Sequence, residues 1–355
     1  MKKIEFSHRG VLIIIGFFSL LICLGTIAIG VMIYLDPKYA ESYYFYKVYL
    51  VYRHLWKYLS NVSPWPLFFF WLLAELLLVG ILIRAWAIRT HRNTIRILGV
   101  LLIFAHISWF YLSWGFNYSR KNVRSRLGLY GKVEHKEFLE EFRDVAKEIR
   151  QLAALRPEKL PNVSEMQLND QLEHELCQFL ESLGLPSIHG VRCRIVQPSG
   201  CLLIFETAGI FWPFSGEGQV DKGLHWIEWP FTMAHELAHG MGWTNEGECN
   251  FLAFECCIHS SDPWIRYSAA ISYWKYLASS LQDEDSLTYV ELQRLAGDTV
   301  LKDLADIREQ HRIYPSILPE WRDWLYERYL EVNKVEAGLH SYHELIPLVI
   351  LYRKK

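Results

Sequence analysis

Apolar and polar positions divide the chain near residue 117. Before that point lie three long apolar runs. Val11 to Leu35 gives 25 consecutive positions without a charge, more than the roughly 20 that cross a bilayer as a helix. The run exceeds the roughly 7–15 apolar residues of a secretory signal peptide, and no A-x-A-like site follows it. It therefore reads as an uncleaved anchor helix. A second run, Pro66 to Ile83, is interrupted only by Glu75, and a third, Ile97 to Phe116, only by His106. Trp65, Trp86, Trp114 and Tyr118 sit at the ends of these runs, where amphipathic rings prefer to lie. The pattern predicts a membrane domain over residues 1–117 with three transmembrane helices, 11–35, 66–83 and 97–116.

The second and third spans are joined by about a dozen residues and must form an antiparallel hairpin. Glu75 and His106 lie near the middle of their spans, at similar depth. Ionisable groups in hydrocarbon find a partner or a cavity, so the two are expected to pair across the hairpin. The alternative is that each faces a different polar atom of the bundle. Orientation is nearly balanced. Lys2, Lys3, Arg9, Arg84, Arg89, Arg92 and Arg96 would lie on one side, against Lys38, Lys47, Arg53, Lys57, Arg120, Lys121, Arg124 and Arg126 on the other. Because the first helix usually dominates, the N-terminus is read as inside. That places the C-terminal two-thirds outside.

After Asn117 the periodicity changes. Within Glu134–Leu155, Phe138, Phe142, Val145, Ile149 and Leu152 recur at helical spacing, and Met166–Leu183 is a second amphipathic stretch. From Gly190 to Trp229 the pattern turns strand-like. RCRIV and CLLIF flank a QPSG turn and read as a hairpin, with GQV and HWIEW as further short strands. Beyond Phe231 the chain reads as helical again, with breaks near Gly242, Ser260–Pro263, Asp283–Asp285 and Pro315–Pro319. Helices, a small sheet and more helices make residues 118–355 an α+β domain.

Composition excludes two classes. A 51% hydrophobic chain with a net charge of −2 is not intrinsically disordered. With 37 Lys+Arg against 39 Asp+Glu it is no basic nucleic-acid binder either. The seven cysteines form no CxxC pair. Cys193 and Cys201 flank the QPSG turn and could bridge a hairpin in an oxidising compartment, whereas Cys249 and Cys256 read as small buried residues on one helix face. The stripe Trp321, Trp324, Leu325, Tyr329 reads as core.

The chemistry concentrates in His235-Glu236-Leu237-Ala238-His239. Pro230 suits a first helical turn, so the five residues fall on a helix. Positions i and i+4 share a face, and both imidazoles can reach one ion. Glu236, one step round, stands where it can take a proton from an activated water. Gly242 can end this helix, and Glu246-Gly247-Glu248-Cys249-Asn250 begins the next. An acid there completes a His₂Glu set with an open corner, the set of a catalytic zinc. Glu246 is favoured, because Asn250 at i+4 can then support a ligand histidine. Glu248 is the competitor, on a different face.

HELAH, a short turn and E-x-E-x-N resemble the gluzincin-type zincin metallopeptidases. Four stretches are similar to an uncharacterised bacterial family of membrane-anchored zincins, catalogued only as a domain of unknown function: WGFNYSRKNV, GIFWPFSGEGQV, PFTMAHELAHGMGWTNEGECNFLAF and ERYLEVNKVEAGLHSYHELIPLVI. Cys249, where Ala is more usual, and Gly247 depart from the pattern. The resemblance implies a zincin-like metallopeptidase domain over 118–355, Zn²⁺ as cofactor and a peptide or protein substrate. It also implies an edge strand upstream of the motif that pairs with extended substrate, for which Gly216–Val220 is the expected counterpart or else a plain loop. Glu236 is the expected general base, with a second oxyanion donor taken as Tyr342, backed by His340, His343 and Tyr314. The rival reading is a catalytically silent membrane protein whose metal site is structural or binds a partner. The lipid bilayer is a partner in either case, nucleic acid in neither, and the oligomeric state is left open.

Overall fold

The computed structural model describes residues 8–87, 92–281, 286–317 and 344–355, together with 319, 320, 324 and 328. They divide into two compact units, Met1–Arg120 with Pro213–Gly216, and Lys121–Trp212 with Glu217–Lys355.

The first unit contains α1 (His8–Leu35), a π-helical stretch (Ala40–Tyr49), α2 (Leu50–Val62), α3 (Leu67–Ala87) and α4 (Arg92–Ser113). Three helices among the described residues are long and apolar enough to cross a membrane: Gly16–Leu35 in α1, Leu67–Arg84 in α3 and Ile95–Ser113 in α4. The third stops short of the predicted Phe116 because Trp114 leaves helical geometry and a 3₁₀ turn follows over Gly115–Ser119. Small residues bring α1 against α4 and the turn that follows it: a Cβ on Gly16 would stand 3.6 Å from Leu101 of α4, and one on Gly30 3.4 Å from Phe116 of the 3₁₀ turn. The pairing expected inside the hairpin is present, with His106 Nε2 2.8 Å from Glu75 Oε1.

The π-helical stretch and α2 were not anticipated, because their lysines and arginines depress the mean hydropathy of an otherwise aromatic segment. Tyr44, Phe45 and Tyr49 are buried there. Arg120 secures them, its Nε donating to Glu41 at 3.0 Å and its guanidinium lying 3.5 Å from the Phe45 ring centre. Charge and ring face attract each other once water is excluded. The loop Pro213–Gly216 belongs to this unit. Tyr52 donates its hydroxyl to the Pro213 carbonyl, and Arg53 Nη1 donates to that of Gly216 at 2.5 Å.

The second unit opens with α5 (Val123–Leu127), α6 (His135–Leu155) and α7 (Glu165–Ser182). The last two match the amphipathic stretches closely, because side chains define where they start. Ser164 and Gln167 form a capping box on α7, and Glu134 and Glu137 one on α6. After β1 (Arg192–Val196), β2 (Gly209–Trp212) and β3 (Glu217–Asp221) come α8 (Trp229–Gly240), α9 (Glu246–Ile258), α10 (Pro263–Leu281), α11 (Ser286–Ala296), α12 (Asp298–Arg312) and α13 (Leu345–Arg353). Phe142 of α6 meets Trp274 of α10 edge to face at 4.7 Å. Arg156 forks onto Asp303 of α12 at 2.6 and 2.8 Å, and Tyr267 donates to the same carboxylate at 2.6 Å. The whole is α+β, mostly helical with a small sheet.

That sheet corrects the predicted strand pairing. Its order among the described residues is β1-β3-β2, with β1 parallel to β3 and β2 antiparallel to it. RCRIV is a strand, but CLLIF does not return beside it and ends in a 3₁₀ turn, Leu203–Phe205. The Asp221 carboxylate causes the detour by accepting the N–H groups of Gly200, Leu202 and Gly223 at 2.6–2.7 Å. HWIEW is no strand either, but turns into α8. Cys193 and Cys201 are free thiols. Glu217–Asp221 is the central strand, buried throughout, so the expected edge-strand role for Gly216–Val220 is overturned: both neighbours are already in place.

Candidate metal centre

Two helices and the turn between them build the centre. Pro230 stands in the first turn of α8, where its missing N–H costs nothing. Gly242, at φ 89°, takes the left-handed conformation that lets the chain reverse after the helix. Asn245 then starts α9 by accepting the Glu248 N–H on its side chain at 2.8 Å. The reversal carries the first turn of α9 back to the histidines of α8.

His235 Nε2 and His239 Nε2 lie 3.0 Å apart, and Glu246 Oε2 stands 3.1 Å from the first and 3.3 Å from the second. Donors at roughly 2.0–2.1 Å from one tetrahedral ion would stand about 3.3–3.4 Å apart, so the triangle matches one face of such a polyhedron. The residues therefore fit a zinc-type ion. His239 Nδ1 lies 2.9 Å from the Trp243 carbonyl. An N–H there leaves Nε2 as the lone-pair nitrogen aimed into the triangle.

The electrostatics call for positive charge. Burial works to raise Glu246, yet His239 and His235 outweigh it and hold the carboxyl well below its usual range. Burial opposes charge on His239 as well, but Cys249 and Glu246 overcome it and keep the imidazole well above its ordinary value. Burial prevails at His235, which is lowered.

Glu236 is 3% exposed, with Oε2 lacking a hydrogen-bond partner. Burial raises its carboxyl to about 8. The sheet makes room for it by omitting side chains. A Cβ on Gly209 of β2 would stand 2.7 Å from Glu236 Oε1, and one on Gly218 of β3 2.7 Å from Glu236 Cβ.

The two acids of α9 separate cleanly. Glu246 faces the histidines, while Glu248 Oε1 accepts the backbone N–H of Arg124 at 2.7 Å. Burial raises Glu248 to about 7. Asn250 lies beside His235, as anticipated, and also beside Tyr276 of α10. Tyr276 escaped the sequence reading because nothing local marks it. The Trp243 carbonyl escaped because no side-chain type announces a backbone acceptor. Cys249 is buried as expected, but its sulfur also comes 3.4 Å from His239 Nδ1.

Tyr342, His340 and His343 lie outside the described residues, as do Trp321, Leu325 and Tyr329 of the expected core stripe. Trp324 of that stripe is 53% exposed. Tyr314 sets its ring against Gly200 and Gly223, a packing position. One further group, Glu173, Cys177 and His189, also gathers potential ligand atoms. There Glu173 Oε1 already accepts the Gly190 N–H at 2.6 Å, and burial pushes the Cys177 thiol up. That group closes the turn between α7 and β1.

No curated protein and no solved structure matches the chain. A family model described as Protein of unknown function (DUF3810) matches residues 44–350. That stretch is most of the chain and takes in His235, His239, Glu246 and the sheet beneath them; the chain belongs to the DUF3810 family.

Proposed function

We propose that this chain is a membrane-anchored zinc-dependent peptidase that hydrolyses peptide bonds, most simply as an endopeptidase. One observation carries the reading: two imidazole nitrogens and a carboxylate oxygen form a triangle of 3.0–3.3 Å beside a buried carboxylate, Glu236, on the neighbouring helical position, one oxygen of which, Oε2, has no hydrogen-bond partner. His235, His239 and Glu246 would hold the ion. Bound there, zinc supplies Lewis acidity toward a carbonyl oxygen and toward water.

The remaining work falls to the chain. Glu236 takes a proton from water and returns it to the leaving amine, a shuttle that works best when the group titrates near ambient pH. Asn250 and the Trp243 carbonyl orient the histidine rings. β2 rather than β3 is the strand suited to align extended substrate, since it is an edge of the sheet and Gly209 meets Glu236 there. The positive-inside reading puts this machinery outside the bacterial cell membrane.

A purely structural site has no use for a buried acid with an open oxygen beside its first ligand, which weighs against the silent alternative. The test compares the purified full chain with Glu236→Gln. The variant is expected to bind zinc as wild type does and to lose cleavage of a peptide library by at least about 10²-fold. Equal cleavage by both proteins, or none by either with zinc bound, would leave the silent reading standing.

A further inference from the structure

We infer that α2 is a membrane-surface helix, whose outer face seats in the headgroup–acyl boundary of the bilayer. The inference rests on reading α1, α3 and α4 as spans. Val51, Leu55, Tyr58 and Val62 recur at i, i+4, i+7 and i+11, which places them in one line along the helix. All four are exposed, at 66%, 51%, 69% and 64%. The opposite face is occupied. Arg53 and Ser60 are each 2% exposed, and Tyr52 and Arg53 are bonded to the loop Pro213–Gly216. Because those bonds fix the rotation of α2, the apolar line cannot turn inward.

Chain length identifies the occupant. Only Asp36–Tyr39 separates α1 from the π-helical stretch that runs straight into α2, and only Ser63–Pro66 separates α2 from α3. Four extended residues reach about 14 Å at most. Each end of this segment is therefore tied within a short step of a spanning helix, on the same side of the membrane. An apolar line held at that depth meets lipid. Lys47 and Lys57 can extend their amines to headgroups along apolar stems, and Trp65, 66% exposed, is suited to the same interface. The interfacial position also accounts for the aromatic richness of a segment that spans nothing.

The test places a photo-activatable benzoylphenylalanine at Leu55, Tyr58 or, as reference, Leu77 of α3 in the full-length chain. The protein is reconstituted in phosphatidylethanolamine–phosphatidylglycerol vesicles containing an alkyne-tagged acyl lipid and then irradiated. Lipid adducts at Leu55 and Tyr58 within about threefold of the Leu77 yield are expected. Adducts at Leu77 alone would overturn the inference and leave the spans intact. So would a cross-linked dimer through Leu55 or Tyr58, which would mean that a second copy covers the stripe. Adducts at none of the three would remove the spanning reading itself, and the inference with it.

Discussion

Gly218, in the middle of β3, faces Glu236 of α8 so closely that a methyl group on it would come within 2.7 Å of the Glu236 Cβ and 3.0 Å of Cys193 Sγ. Neither neighbour is the free end of a long side chain. Gly218→Ala must therefore move α8 off the sheet, and a thermal melt should record a loss of about 1–3 kcal/mol. An unchanged melting temperature would mean that α8 does not rest on β3 as described.

The two acids of α9 should fail differently. Glu246→Ala removes a corner of the triangle, and zinc affinity should fall by more than the ~10–100-fold typical of a supporting residue. Glu248→Ala leaves the Arg124 N–H without its acceptor, so it should keep zinc and lose about 1–3 kcal/mol of stability. Metal analysis beside a melting curve distinguishes the pair, and the reverse pattern would make Glu248 the ligand.

Glu228 gives the fold an acid-sensitive joint. Burial pushes its carboxyl up, but Lys275 at 2.6 Å and His311 at 2.8 Å outweigh this and hold it at about 2, against an ordinary 4.5. The folded state thus keeps Glu228 ionised where the unfolded chain protonates it. The resulting stability, about 3 kcal/mol, is fully present above about pH 4.5 and is lost as pH falls toward 2. The difference in unfolding free energy between wild type and Glu228→Gln should narrow across that window, whereas a constant difference would refute the linkage.

Between α3 and α4, Glu75 and His106 should be coupled. A double-mutant cycle using Glu75→Gln and His106→Ala should return an interaction of about 1 kcal/mol, within the range seen for polar contacts between membrane helices. Simple additivity would mean that the 2.8 Å contact contributes nothing to the hairpin.

What could be read in advance follows how local each signal is. The three apolar runs, α6, α7 and the helix of His235 and His239 each declare themselves within one window of residues. Glu246 was accessible because Gly242 announces a reversal and the next helix starts four residues later. The sheet was not legible. β1 pairs in parallel with β3, and what routes the chain between them is Asp221, an acid at the far end of the last strand in sequence. Reading a hairpin at QPSG followed from turn chemistry that is real but does not join two strands. The π-helical stretch and α2 were missed because Lys47 in the first and Arg53 and Lys57 in the second pull the hydropathy down.

The order of strands has a further consequence for a chain made from its N-terminus. β1 leaves the ribosome with nothing to zip to, because its ladder partner among the described residues is β3, and it must wait until Asp221 has been synthesised. By then β2 has emerged, and the four-residue loop lets β2 and β3 join first, the cheaper closure. β1 then docks along the far side of a hairpin already made. A nascent chain stalled before Glu217 therefore forms none of the sheet described here, and the HExxH helix, made afterwards, emerges to a floor only because β3 precedes it.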